Sequence, residues 1–290
     1  MNCMDAKQRA AIVAALVEGV GIRSTSRMTG ASKGAVTKLI ADLGPVCAAY
    51  QDQAFHDLPC KVLEVDEIWA FCAAKQKNVP VEHRGEKGWG DTWTFTALCA
   101  DTKLIPSWLV GDRDEQTATL FLSDLASRLA GRAQVTTDGH LMYLGAVESA
   151  FAGNADYAML VKSYGVSPES ERRYSPAVCL GSKKARIQGE PDMSRVSTSY
   201  VERANLGIRM GLRRFTRLTN AHSKKLQNHC AALAIYFMHY NFARIHSTIR
   251  CSPAMAAGVT PHLWSVEEIV GLLPAEAPKK RGPYKKRISK

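Results

Sequence analysis

The sequence has no run of about 18 apolar residues, so no membrane span is implied. Its opening residues, MNCMDAKQRAAIV, lack the apolar core and small-residue cleavage site of a secretory leader. A cytoplasmic location is the expectation. There is no Cys-x-x-Cys pair. The eight cysteines are scattered at positions 3, 47, 60, 72, 99, 179, 230 and 251, which fits reduced, buried thiols and speaks against a disulfide frame or a zinc site. No internal repeat is visible. Acidic residues are scarce in two stretches. Residues 279–290, KKRGPYKKRISK, carry seven positive charges and no negative one, out of a formal net charge of +11. Residues 195–225 hold Arg195, Arg203, Arg209, Arg213, Arg214, Arg217, Lys224 and Lys225 against the single acid Glu202. A phosphate-rich partner is the economical explanation; a solvated basic face is the alternative.

What is present is a chain of 290 residues, 46% hydrophobic and 22% charged, enough for a well-buried core plus one small extra domain. Residues 6–43 read as three short helices. Ser32 is a good N-cap for the third, and Gly44-Pro45 is read as its end. The last two, joined by a tight Gly-containing turn, match a helix-turn-helix. In that motif the second helix enters the DNA major groove. Lys33, Gly34, Thr37 and Lys38 would be exposed there, while Val36, Leu39 and Ile40 pack inward. A plain three-helix bundle gives the same pattern.

The stretch Lys61–Ala70, KVLEVDEIWA, organises the rest. It reads as a core strand, with Leu63, Val65, Trp69 and Phe71 on one face and Glu64, Asp66 and Ile68 on the other. An ionised carboxylate in such a strand is costly without a partner. Asp66 therefore sits at an end open to water, beside a cation, or on a metal ion; the last is the preferred reading.

A polar loop over 75–90, strands at 91–100 and 104–110, a helix at 114–130, a strand ending at Asp138, a helix at 142–151 and a strand at 157–161 follow. Residues 163–197 read as an irregular insertion that could hold short strands. Helices are expected at 198–212 and 223–242. The pattern gives a mixed α/β layer fold. The expected division is a helix-turn-helix domain at 1–44, a connector at 45–59 and a catalytic domain at 60–250. A docking segment at 251–278 and a basic, disordered tail at 279–290 complete it.

Two further acids draw notice. Asp138, in VTTDGH, could face a cleft at a strand end or simply cap a turn. Glu202 could complete a capping box with Ser199. Yet it also heads a polar stripe with Asn205, Arg209 and Arg213, opposite the apolar stripe Val201, Ala204, Ile208 and Leu212. Three carboxylates from distant parts of the chain could converge on Mg²⁺, which prefers hard oxygen ligands and keeps open positions for water and phosphate. Nearer decoys are Glu67, Glu148 and Asp156.

The sequence resembles the DDE transposases of bacterial insertion sequences, closest to the insertion-sequence-one group. The resemblance rests on VDEIW around Asp66, TTDGH around Asp138, TSYVERANLGIRMGLRRFTRLTNAHSKK around Glu202, and HYNFARIHSTIRCSPAMAAG from His239. It spans residues 1–273. It implies a ribonuclease-H-like mixed sheet flanked by helices, preceded by a small all-α helix-turn-helix domain. Asp66, Asp138 and Glu202 would be the catalytic metal ligands for two Mg²⁺ ions, with Mn²⁺ able to substitute. Lys33, Thr37, Lys38, Arg203, Asn205, Arg209, Arg213 and Arg214 would contact double-stranded DNA or support the site. Tyr240, Asn241, Arg244 and His246 would fix the terminal helix to the core. The family also implies a homo-oligomer on DNA at the nucleoid. A non-catalytic DNA-binding regulator and a metal-dependent nuclease without strand transfer are the other readings.

Overall fold

A computed structural model describes residues 4–165, 179–216 and 219–274. The apolar stretch around Asp66 is strand β1 (Val62–Cys72). It lies inside a six-stranded sheet with β2 (Gly90–Cys99), β3 (Trp108–Gly111), β4 (Ala133–Asp138), β5 (Ala155–Tyr164) and β6 (Cys179–Gln188). The order is β3-β2-β1-β4-β5-β6. Strands β1, β4 and β5 run parallel to one another, and the other neighbours are antiparallel. A meander followed by parallel strands reached through helices is the ribonuclease-H-like arrangement, a mixed α/β sheet flanked by helices. Burial on both faces explains why β1 reads as a nearly continuous apolar run.

On one face Phe95 packs against Phe121 of α4 (Glu115–Ser127) and Tyr143 of α5 (Met142–Phe151). On the other lie α6 (Ser199–Gly211) and α7 (Leu226–Met238), where Trp108 meets Phe237. Three N-terminal helices, α1 (Ala6–Val17), α2 (Ile22–Thr29) and α3 (Lys33–Ala54), share one apolar core with this layer. Ser32 caps α3 as expected, accepting from the Ala35 amide at 3.1 Å. Gly30, in the left-handed region at φ 70°, makes the turn between α2 and α3.

The expected stop at Gly44-Pro45 is overturned: α3 runs through both residues, so most of the anticipated connector is helix. An interior proline costs about 3 kcal/mol. Here it is outweighed by a buried face of Leu43, Cys47 and Gln51 laid on α7. Gly44 serves close approach instead of termination, since a Cβ there would lie 2.4 Å from the Ala231 Cα.

The third strand is shorter than expected. Its first half is instead held by a side chain: Asn241 accepts from the Ile105 amide and donates to the Ile105 carbonyl, both at 3.0 Å. Tyr240 donates to the Lys103 carbonyl at 3.1 Å. These two residues do fix the terminal helix to the core. Within the 163–197 stretch the structure has more than short strands: β6 pairs with β5 as a full edge strand. Alternation fails as a signal because β6 is exposed along almost its whole length and has no buried face to mark. Helix α7 gives way to a π turn at His239–Ala243, closed by the Arg244 amide on the His239 carbonyl at 2.9 Å. The short helices α8 (Pro253–Ala256) and α9 (Val266–Gly271) fall where the docking segment was expected. The tail at 279–290 lies outside the described residues. Among those described, no helix is long and apolar enough to cross a membrane.

Candidate metal centre

The parallel pairing of β1 with β4 sets Glu64 against Thr136. Two residues further along each strand come Asp66 and Asp138, so both carboxylates leave the sheet on the same face. Among the described residues, carboxylate oxygens of Asp66, Glu67 and Asp138 all lie within 4.8 Å of one another. Asp66 accepts from the side-chain amide of Asn205 on α6 at 2.8 Å. Asp138 accepts from the His140 amide at 2.9 Å, so it also makes the turn expected of an Asp-Gly pair.

Burial pushes the Asp66 carboxyl up to about 7; Glu67 and Asp138 push the same way, and the Asn205 hydrogen bond opposes them. Gathering these acids therefore carries a cost at Asp66, and a cation would relieve it. The donor set consists of hard oxygens, as Mg²⁺ or Mn²⁺ requires. The Asn205 Oδ1 atom is buried with no hydrogen-bond partner, leaving a further oxygen beside Asp66 to face a cation or its water. The residues present thus fit a divalent ion held chiefly by Asp66 and Asp138.

Glu67, a decoy by sequence alone, belongs to the cluster in space. Its side chain nevertheless points to the α4–α5 face and is already engaged. Arg113 donates to it through Nε at 2.6 Å and Nη2 at 2.5 Å, and the Tyr143 hydroxyl donates at 2.7 Å. Arg113 in turn lies over the Trp93 ring at 4.6 Å. Burial, and then the Glu67 charge, push the Tyr143 hydroxyl well above its ordinary value, keeping it a donor. No motif marks Arg113 or Tyr143 in the sequence.

Glu202 lies outside this acidic group. It is half exposed, accepts from the Thr198 hydroxyl at 2.6 Å and is ion-paired with Lys162. It is on the same side of the sheet as the aspartates, because α6 also carries Asn205, which reaches Asp66. Lys162 shares that side: it lies two residues beyond Leu160, the partner of Asp138. Burial would lower the Lys162 pKa, but Glu202 and, more weakly, Asp66 raise it above the ordinary value. The ammonium therefore feels both Glu202 and Asp66. The capping box expected of Glu202 is absent. The first turn of α6 is instead capped by Glu64, which accepts from the Tyr200 and Val201 amides at 2.7 and 3.0 Å. In the sequence Glu64 is visible only as an acid two residues before Asp66 on the same strand face.

The other residues singled out are dispersed. Asn205 is 7% exposed and supports Asp66, a place that fits site support and leaves little of it for DNA. Arg203 and Arg213 are exposed, Arg209 and Arg214 half-buried. Lys33 and Lys38 are exposed on α3, with Lys38 ion-paired to Asp42, while Thr37 donates to the Lys33 carbonyl at 2.9 Å. Asp156 is bound to Arg132 at 2.7 Å, away from the cluster.

No family model matches the chain, and no curated protein sequence matches it. Among solved structures, it is similar to a chain of the Mos1 strand transfer complex, at 12% identity and a TM-score of 0.24. That match covers 54% of this chain and 59% of the other, so the chain spans under two thirds of that relative's length. It is also similar to a chain of a piggyBac transposase synaptic complex with hairpin DNA. There the identity is 12%, the TM-score 0.38, and the match covers 97% of this chain and 75% of the other. At this level neither likeness bears on function. What the residues can do follows from their geometry.

Proposed function

We propose that this chain is a transposase of an insertion sequence, cutting and joining DNA strands by Mg²⁺-dependent phosphoryl transfer. The observation that carries the reading is the pairing of Asp66 and Asp138 on one face of adjacent, parallel central strands, with their oxygens within 4.8 Å. Divalent ions bound there would supply charge neutralisation and Lewis acidity to an in-line displacement at phosphorus. Asp66 and Asp138 would hold the ions, and Asn205 keeps Asp66 oriented. Arg113 and Tyr143 hold Glu67 in place. Glu202 is the third ligand of this reading, released from Lys162 when it takes that role. Arg203, Arg209, Arg213 and Arg214 supply positive charge along a DNA backbone. Lys33, Thr37 and Lys38 on the helix-turn-helix contact the duplex at the element ends.

In the first step a water oxygen attacks phosphorus and loses a proton to solvent, the P–O3′ bond breaks, and the departing 3′ oxygen takes up a proton, leaving a 5′-phosphate and a free 3′-OH. In the second, that 3′-OH gives up its proton and its oxygen attacks a target phosphodiester; a new P–O bond forms, the target's own P–O3′ bond breaks, and the departing 3′ oxygen is protonated. Two element ends must be held together for the second step, so a homo-oligomer on DNA belongs to the reading.

The Lys162–Glu202 pair favours one other reading: a DNA-binding regulator whose third acid is permanently neutralised. One assay separates them. Purified protein with Mg²⁺ or Mn²⁺ is mixed with labelled duplexes from the sequence flanking its gene. Cleavage followed by joining to a second duplex, lost in Asp66→Ala, Asp138→Ala and Glu202→Ala, supports the transposase. Specific binding without cleavage supports the regulator. Cleavage without joining supports a nuclease.

A further inference from the structure

The α1–α2 turn and the start of α3 do not stand apart from the segment that follows α6. They form the two walls of a cleft of about 750 Å³. Six cations line it: Arg23 and Lys33 from the helical wall, and Arg213, Arg214, Lys224 and Lys225 from the other. Among the described residues no carboxylate lines it, and none of the six is ion-paired with one. Arg214 donates to the Ser223 hydroxyl at 3.2 Å, and burial, only partly opposed by Cys72, pulls its pKa down. The floor is different in kind, made by Leu16, Val20, Ile22, Ile40, Leu212 and Ile235.

A purely electrostatic surface for a duplex has no use for an apolar floor, because a duplex presents its phosphates and keeps its bases stacked inside. Cations around an apolar depression match an unpaired strand, whose phosphates meet the rim while its base faces leave water. The volume points the same way. It falls in the range of about 300–1,000 Å³ typical of small-ligand sites, room for a few unpaired nucleotides and not for a segment of duplex.

We infer that this cleft binds an unpaired segment of a DNA strand, clamped between the start of α3 and the segment after α6. The inference shares with the proposed function the premise that DNA is the ligand, and it reassigns to an unpaired strand four residues given there to DNA contacts: Lys33, Thr37, Arg213 and Arg214. It does not use the carboxylate site. It makes Lys33 of α3 and the basic residues after α6 one binding site instead of two.

The test is fluorescence anisotropy with a short labelled oligothymidylate and, in parallel, a labelled duplex of mixed sequence. Gly21 lines the cleft with an ordinary negative φ, and a Cβ there would meet only the Arg213 Cγ at 3.5 Å. Gly21→Phe therefore fills the cleft and leaves every charge in place. It should weaken single-strand binding about tenfold or more while changing duplex binding little. Asn228→Phe, from the α7 side, is the second filling variant if the first melts early. Lys224→Ala with Lys225→Ala should weaken single-strand binding and flatten its salt dependence, by about 0.7 in the log–log slope for each phosphate no longer neutralised.

Unchanged single-strand binding in the folded filling variants would overturn the inference, since the cations would then act as an open surface. A mononucleotide that competes as well as the strand would assign the cleft to free nucleotides and overturn it too. The two proposals fail separately. Duplex binding without single-strand binding sinks the cleft alone. Single-strand binding without duplex binding sinks the duplex-binding part of the proposed function and leaves the cleft.

Discussion

Asn205 on α6 donates its side-chain amide to the Asp66 carboxylate on β1 across 2.8 Å. This bond ties the arginine-bearing helix to a sheet position that carries a costly charge. Losing it should be felt at Asp66 first. Asn205→Ala is expected to raise the Asp66 pKa further, because the side-chain hydrogen bond that lowers it is gone. The midpoint of pH-dependent Mn²⁺ binding should move upward, and folding stability below pH 7 should fall by only about 1 kcal/mol. A binding titration at several pH values checks the first and urea unfolding the second; an unmoved midpoint would make the contact incidental.

Asp66 itself makes a prediction with a definite sign. Its pKa rises from 3.8 unfolded to about 7 folded, with burial as the main cause. The folded state therefore holds this proton more tightly than the unfolded chain, and the contribution of Asp66 to stability falls as pH rises between about 4 and 7. Without divalent ions, Asp66→Asn should stabilise the protein at pH 8 by on the order of 2–4 kcal/mol and have little effect near pH 4. Thermal melts at the two pH values read this out. Equal melting shifts at both would show that Asp66 is ionised in the fold at no cost.

Lys162 is expected to act as a built-in competitor. Its ammonium pairs with Glu202 and is felt by Asp66. Lys162→Met should tighten Mn²⁺ binding by roughly threefold to tenfold, as removal of a nearby positive charge does in a partly buried site. The gain should shrink in the Lys162→Met, Glu202→Gln double variant measured against Glu202→Gln, to the share that acts through Asp66. Calorimetry on the four proteins closes that cycle. An undiminished gain in the double variant would take Glu202 out of the ligand set.

Packing of the N-terminal helices on the sheet and its flanking helices gives a test free of metal chemistry. A side chain at Gly44 must push α3 away from Ala231. Gly44→Val is expected to cost about 1–3 kcal/mol in urea unfolding. The unfolding curve should remain a single transition, because Ile12, Leu43 and Phe237 belong to one core. Two separate transitions would show that the helical unit folds apart.

The legible parts of the chain are those with a repeating physical signature. Ser32 as a cap, the apolar face of Val36, Leu39 and Ile40, and the β1 run can be read because burial imposes a period. The Gly44-Pro45 pair misleads because local propensity says nothing about a partner helix that rewards close approach. Strand β6 escapes notice because both of its faces are wet. At the site, Asp66 stands out as a charge inside an apolar strand, and Asp138 as an acid at a strand end. Arg113, Tyr143 and Lys162 do not, since each acquires meaning only from a neighbour remote in sequence. Glu67 looks redundant beside Asp66 because alternation sends it to the other face, yet its oxygens still come within 4.8 Å of the aspartates.

The central claim is that Asp66 and Asp138 jointly hold a divalent ion. Electron paramagnetic resonance of free Mn²⁺, titrated with protein at pH 8, tests it without DNA or turnover. The wild type should deplete the free-ion signal saturably. Asp66→Asn and Asp138→Asn should each weaken that binding by at least about tenfold, near 1.4 kcal/mol, while remaining folded. Wild-type depletion by either folded variant would contradict the claim.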